Sequence, residues 1–498
     1  MSLNRIKFRK LQNKVASVEE AVMLIKNNMT VGSSGFTRAG DSKAVLPAIA
    51  KRAANEELKI NLITGASLGQ DTDGHLAENH ALLKRLPFQV DPVMRKAINK
   101  GEFYFIDQHL SETAELLQNG HLPRIDVAVI EAAFITEDGG IVPTTSVGNS
   151  CTFAEQAETV IVEINTSVGE DVYGIHDICL SGKYPNKRPF LVNKVDDRIG
   201  QQAIYIPTEK IKAIVFTDIP DSPAAIAPPD EKTTAISEHI LNFLKKEVAA
   251  GHLPKNLLPL QAGIGKVANA VLTGFINSDF ENLVMYSEVL QDSTFDLIDS
   301  GKMTFASASS ITVSEECFNR VFSNISKYKD KIVLRPQNIS NAAEIIRRLG
   351  IIGLNTAIEF DIYGNVNSTH TGGINMMNGI GGSGDFARNA YLSIFVAQAA
   401  SKNNTISHVV PMVSHHDHTE HDVDIIVTDQ GLADLRGLAP RERAQVIIDK
   451  CVHPDYKAQM QDYFDRAKER GGHTPHLIEE ALSWHTRLAQ TGSMKKQQ

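Results

Sequence analysis

Residues 214–233 read IVFTDIPDSPAAIAPPDEKT, and two signals meet there: an apolar, β-branched run ending at Thr217 and Asp218, then Pro220, Pro223, Pro228 and Pro229 in quick succession. Proline fits neither a helix interior nor a central strand. The segment therefore predicts a domain boundary, with one domain over 1–225 and a second over 226–498. Landmarks on one side recur on the other in the same order. AVIE (128–131) is answered by AIE (357–359), the acid and glycine of EDGG (137–140) by DIYG (361–364), and IVFTD (214–218) by IIVTD (425–429). Three ordered pairs predict two similar domains in tandem.

Within each half, short β-branched runs alternate with helical patterns. In the first half, Ser17 and Glu20 have the spacing of a capping box, predicting an amphipathic helix through Ile25 that leads into the glycine turn VGSSGFT. In the second, Ile236, Ile240, Leu244 and Val248 mark a helix closed by Gly251. Such alternation predicts an α/β fold with mostly parallel sheets flanked by helices. Ligands of these folds bind outside the carboxyl ends of the strands, so the glycine turns that follow strands are the places to search.

Composition narrows the function classes. The chain has 498 residues, 42% hydrophobic and 22% charged, as compact globular domains do. A net charge of −9 offers no broad attraction to nucleic acid or anionic lipid. The longest apolar runs, such as VAVIEAAFI (127–135), are too short for a membrane-spanning helix. Cys151, Cys179, Cys317 and Cys451 lie far apart without a CxxC pair, which fits a reducing compartment; a cytoplasmic protein is expected.

Four segments carry candidate chemistry. QAGIGKVANAV (261–271) places Gly263 and Gly265 between an apolar strand and a helix, where backbone can approach a ligand and helix N–H groups can meet an anion or a developing oxyanion. Ala268 stands at the third glycine position of a dinucleotide fingerprint, and the GK[ST] ending of a phosphate-binding loop is lacking. A tight turn without a ligand is the competing reading. MNGIGGSGDFARNA (377–390) holds Gly379, Gly381, Gly382 and Gly384 ahead of a helix, either a substrate-contacting loop or a flexible surface one. Glu288 ends the strand-like run LVMYSEVL (283–290), with Tyr286 two residues before it on the same face. A carboxylate there is either catalytic or merely the solvent-facing position of an edge. In SHHDHTEHD (414–422), His415, His416, His418 and His421 imitate a zinc site, but no HExxH or paired cysteine accompanies them. A hydrogen-bonded polar network is expected instead, and no metal.

Taken together, QAGIGKVANAV, MYSEVLQDS, NGIGGSGDFARNA, PMVSHHDHTEHDV and TDQGLADLRG resemble the acetyl-CoA hydrolase/transferase family, in particular its succinyl-CoA:acetate and propionyl-CoA:succinate CoA-transferases. The resemblance runs from GSSGFTRAGDSKAVLP (32–47) to LRGLAPRERA (435–444). It implies two tandem CoA-transferase-type domains, the second carrying Glu288 as nucleophile, and ping-pong transfer of CoA between an acyl-CoA and a small carboxylate through a glutamyl-CoA thioester. Ile264 or its neighbours and Gly382 match backbone donors to the oxyanion. Gly263, Ile264, Gly265, Lys266, Val267, Asn341, Ile358, Asn378, Gly382 and Lys402 match positions that hold CoA. No cofactor is implied, CoA and acyl-CoA being substrates; a homodimer is, and acyl-CoA hydrolysis is the alternative activity. The family pattern reads TEQG where this chain reads TDQG, and some relatives place an arginine in the loop around Ser222, so Asp429 and that loop bear on which acid is accepted.

Overall fold

The computed structural model describes residues 3–223 and 228–496. They group into two compact units. The first contains Met1–Ala225 together with Val284–Ile298 and Met303–Leu349, and the second Ile226–Leu283, Asp299–Lys302 and Gly350–Gln498. The expected boundary at 225/226 itself lies outside the described residues. Glu288 packs with the first unit, not with the bulk of 226–498. Backbone bonds explain this: Val147 N donates to Ser309 O, Ile311 N to Thr145 O and Leu334 N to Ile175 O, stitching 309–334 to the N-terminal residues. A buried Arg335–Asp177 ion pair adds to them.

The first unit holds a seven-stranded sheet built from β1 (Thr30–Ser33), β2 (Ile60–Ile63), β3 (Leu82–Leu86), β4 (Tyr104–Phe105) and β5 (Val127–Ala132), together with β8 (Thr159–Asn165) and β9 (Ile211–Thr217). Its order is β4-β3-β2-β1-β5-β8-β9, and every pairing is parallel. A parallel sheet is covered on both faces, which is why β5 is an unbroken buried run rather than an alternating one. Val45, Leu46, Ile49 and Ala50 of helix Val45–Ala53, with Leu76, Met94 and Ala97 from the next two helices, cover it. Between β5 and β8, β6 (Phe134–Ile135) and β7 (Ile141–Val142) form a small antiparallel hairpin.

The second unit repeats part of this plan. Strands Leu260–Ala262, Ile352–Thr356, Leu392–Val396 and Ile425–Thr428 pair in parallel in that order, and Gly431–Asp434 closes the edge antiparallel. Its core gathers Phe360, Phe395, Ile426, Ile447, Tyr456, Phe464 and Trp484. The landmark pairs fare differently. IVFTD and IIVTD fall on the last parallel strand of each run, β9 and Ile425–Thr428. Gly139 and Gly364 occupy the tips of matching hairpins with φ of 91° and 95°. AVIE and AIE are not equivalent, because Glu131 lies inside the main-sheet strand β5 whereas Ile352–Thr356 has ended before Ala357 and Glu359 opens the separate hairpin strand Glu359–Asp361.

The Ser17–Glu20 capping box forms, but its helix spans only Val18–Val22. Helix Glu231–Ala249 runs to just before Gly251, whose φ is 79°. Among the described residues no helix is long and apolar enough to cross a membrane.

Candidate active site

The run around Glu288 is interrupted rather than continuous. Strand Leu283–Tyr286 stops, Ser287 and Glu288 stand outside it, and Val289–Leu290 resumes beside Ser310–Ile311. The ladder explains the break. Ser287 N donates to Ser307 O at 2.9 Å, and then Ser309 N and Ser310 N both donate to the Glu288 carbonyl, at 2.8 and 3.2 Å. One carbonyl facing two donors shifts the register locally, as a bulge does, and re-aims a side chain.

The Glu288 side chain is buried, with 9% of the residue exposed, so it is not a solvent-facing edge position. Asn341 Nδ2 donates to its Oε1 at 3.0 Å. Burial pushes the carboxyl up to about 7, and the Asn341 bond pulls it the other way. A carboxylate poised near neutrality with its solvation removed is suited to acting as a nucleophile or base. Val289 packs with Phe36, Ala66 and Leu110, which seals the apolar side of the segment.

The second unit holds the other predicted residues. Gly263 N donates to Leu354 O at 3.1 Å as strand Leu260–Ala262 ends. Gly265, with φ of 133°, caps helix Lys266–Ile276, a conformation side-chain-bearing residues rarely adopt. Ile264 is an exposed apolar residue in this turn, and Val267 lies in the helix's first turn. Lys266 Nζ is held by Asp230 Oδ2 at 2.6 Å, and that contact keeps the Asp230 carboxyl well below its ordinary range. In the second glycine loop Gly379 and Gly381 take φ of 143° and 60°, Asn378 is half-buried, and Gly382 caps the short helix Ser383–Ala387.

Ile358, Lys402 and Asp429 are brought together by a residue that sequence reading passed over. His408 Nδ1 donates to Ile358 O at 2.5 Å, and its Nε2 meets Ser401 Oγ at 2.9 Å, next to Lys402. Burial holds this imidazole below its usual value, so it stays neutral and bridges with one donor and one acceptor. His408 N also donates to Ala399 O, and Ala399 N to Asp429 Oδ1 at 2.6 Å. Lys402, Asn403 and Asn404 all have left-handed backbone at an exposed hairpin tip. A single histidine with no surrounding pattern gives no signal in sequence.

Within the histidine cluster, His418 and Asp417 sit in a hydrogen-bonded network. His418, fully buried, meets Ser383 Oγ at 3.1 Å and Ser368 Oγ at 3.3 Å, while Asp417 accepts from Ser368 N and Thr369 Oγ1. This anchors the helix that follows Gly382. Among the described residues no group of three His, Cys, Asp or Glu side chains is arranged to hold a metal.

Mostly parallel α/β units flanked by helices place the protein in the CoA-transferase fold class, as solved structures show. A 4-hydroxybutyrate CoA-transferase structure from Porphyromonas gingivalis aligns with a TM-score of 0.64 at 21% identity, covering 92% of this chain and 99% of that one. Models of the acetyl-CoA hydrolase/transferase N-terminal and C-terminal domains match residues 2–216 and 318–464. The succinyl-CoA:acetate CoA-transferase of Clostridium kluyveri is 50% identical over 494 residues, 99% of this chain and 92% of its own. The acetyl-CoA hydrolase of Candida glabrata is 44% identical over 511 residues, 99% of this chain and 97% of its own. The chain belongs to the acetyl-CoA hydrolase/transferase family.

Proposed function

We propose that the protein is a CoA-transferase that exchanges CoA between an acyl-CoA and a small carboxylate, with Glu288 as the covalent nucleophile. The observation that carries this reading is the buried carboxylate of Glu288 with Asn341 at 3.0 Å. The Glu288 carboxylate attacks the thioester carbonyl, giving an acyl-glutamyl anhydride and CoA thiolate. The thiolate then attacks the glutamyl carbonyl, releasing the first acid and leaving a glutamyl-CoA thioester. A second carboxylate reverses both steps and leaves as a new acyl-CoA. Each addition places charge on a carbonyl oxygen, and a fixed backbone donor there contributes roughly 3 to 4 kcal/mol. Ile264 and Gly382 N–H groups are assigned that role by the family pattern, and residues 263–267, Asn341, Ile358, Asn378 and Lys402 the binding of CoA. Asp429 is assigned to the acid-binding end.

No metal or organic cofactor enters this reaction, because thioester and anhydride are already activated and close in energy. A cytoplasmic homodimer is part of the same reading. The higher identity to the C. kluyveri CoA-transferase, 50% against 44%, supports transfer over hydrolysis, while the relative named acetyl-CoA hydrolase keeps hydrolysis as the second reading.

The two differ in the fate of glutamyl-CoA, since a transferase must shield it from water until an acid arrives. Steady-state kinetics with acetyl-CoA and succinate should be ping-pong, with parallel double-reciprocal lines. Release of CoA to water should be much slower than transfer. Free CoA accumulating at a rate that added carboxylates neither raise nor divert into a new acyl-CoA would establish the hydrolase instead.

A further inference from the structure

Tyr286 ends strand Leu283–Tyr286 two residues before Glu288, and its side chain is wholly buried. Ring volume alone would be served by phenylalanine, and a buried hydroxyl is costly unless it is bonded. The Tyr286 hydroxyl donates to Ile339 O at 2.6 Å. Ile339 belongs to the four-residue helical turn Gln337–Ser340, and the residue capping that turn is Asn341. Asn341 Nδ2 then donates to Glu288 Oε1 at 3.0 Å. The contacts close a ring: strand, phenol, helical turn, amide, carboxylate, and back to the strand. At its other end the turn is held by Gln337, whose N donates to Gly148 O at 3.0 Å and whose Nε2 donates to Leu110 O at 2.8 Å.

We infer that Tyr286 is a positioning residue for the reaction: by holding the Ile339 carbonyl, its hydroxyl keeps the Asn341 amide within donating reach of the Glu288 carboxylate. The inference rests on the reading of Glu288 as the nucleophile. Tyr286 does not act as an acid or base, because burial holds its phenol well above its ordinary value and it remains a donor. The charged groups around the phenol are Arg335, Arg348, Glu344 and Asp177, with Arg335 paired to Asp177 and Arg348 to Glu344. At Glu288 itself, burial raises the carboxyl and the Asn341 bond lowers it. Loosening that bond removes a lowering influence, so the ionised, nucleophilic form is reached only at higher pH.

Tyr286→Phe keeps the ring and deletes the hydroxyl. We expect kcat/KM at pH 7 to fall on the order of tenfold, mostly in kcat, with the acid limb of the pH profile moved upward and activity partly recovered near pH 8.5. Asn341→Ala should move the limb in the same direction. The double variant should be no worse than Asn341→Ala, because the hydroxyl acts through the amide. Tyr286→4-aminophenylalanine, which restores an N–H donor at the same place, should return the limb toward wild type and serves as the readout if Tyr286→Phe does not fold. An unmoved acid limb in Tyr286→Phe, or effects that simply multiply in the double variant, would overturn the inference. The Glu288 peptide is analysed by mass in the same samples. A CoA adduct in wild type with an unmoved limb sinks this inference alone, whereas no adduct in wild type sinks the nucleophile reading and this inference with it.

Discussion

Glu288→Ala should lose CoA transfer by several orders of magnitude while the protein stays folded, because a nucleophile that forms the covalent intermediate has no substitute. The folded state loses little. The side chain is buried and its carboxyl is raised to about 7, so its ionised form is already disfavoured by the surroundings, and the change leaves the Glu288 backbone carbonyl with its two donors, Ser309 N and Ser310 N. Asn341 Nδ2 loses its Glu288 acceptor. Succinyl-CoA formation from acetyl-CoA and succinate, together with the melting curve, checks both halves of the expectation. Residual transfer within tenfold of wild type would mean that Glu288 is not the nucleophile.

The second large effect concerns stability. Lys43, wholly buried, places Nζ 2.6 Å from Glu131 Oε2, 2.8 Å from Asp221 Oδ1, 2.9 Å from Asp41 O and 3.9 Å from Asp41 Oδ1. Glu163, the neighbour of Glu131 on β8, accepts instead from Ser42 Oγ, Lys43 N, Ala44 N and Val45 N at the start of helix Val45–Ala53. One ammonium cannot neutralise Asp41, Glu131 and Asp221 together. Lys43 is therefore held charged, while burial, with neighbouring carboxylates, pushes Asp41 up to about 6 and Glu131 up to about 8. Lys43→Met removes the cation that these carboxylates share and should destabilise the first unit by about 3–5 kcal/mol, the usual cost of orphaning a buried charge.

The pH dependence has a definite sign. Carboxyls raised in the folded state contribute stability that is present at low pH and lost as pH rises through their folded values. Without Lys43 that loss deepens, so the deficit of Lys43→Met should be larger at pH 8 than at pH 5. Melting temperatures at the two pH values test this, with a drop of roughly 10 °C expected at pH 8. An unchanged melting temperature at pH 8 would show that the carboxyls are protonated and that Lys43 is dispensable.

The contrast between these two sites explains what the sequence could and could not disclose. Gly265, Gly379 and Gly381 were legible because left-handed backbone demands glycine, so local sequence records local conformation. The helix around Ile236–Val248 was legible because one face repeats every turn. Lys43 and Glu131 are 88 residues apart and meet only through sheet order, so neither carries a local sign of the other. His408 is invisible for the same reason, since its value lies in reaching both Ile358 and Ser401. The pairing of AVIE with AIE misled because similar letters fell on a strand of the main parallel sheet in one case and, in the other, ran into the separate short hairpin strand Glu359–Asp361. The break at Ser287 and Glu288 was hidden because the run LVMYSEVL is uniformly strand-like, and its interruption is imposed by Ser309 N and Ser310 N from another segment.

The central claim, a covalent glutamyl-CoA on Glu288, is tested most directly by incubating the protein with acetyl-CoA or succinyl-CoA without an acceptor acid, digesting it, and weighing its peptides. The account predicts a CoA-dependent adduct, or a borohydride-sensitive change, on the peptide containing Glu288, discharged when a carboxylate is added. An active enzyme whose Glu288 peptide never changes mass would contradict it.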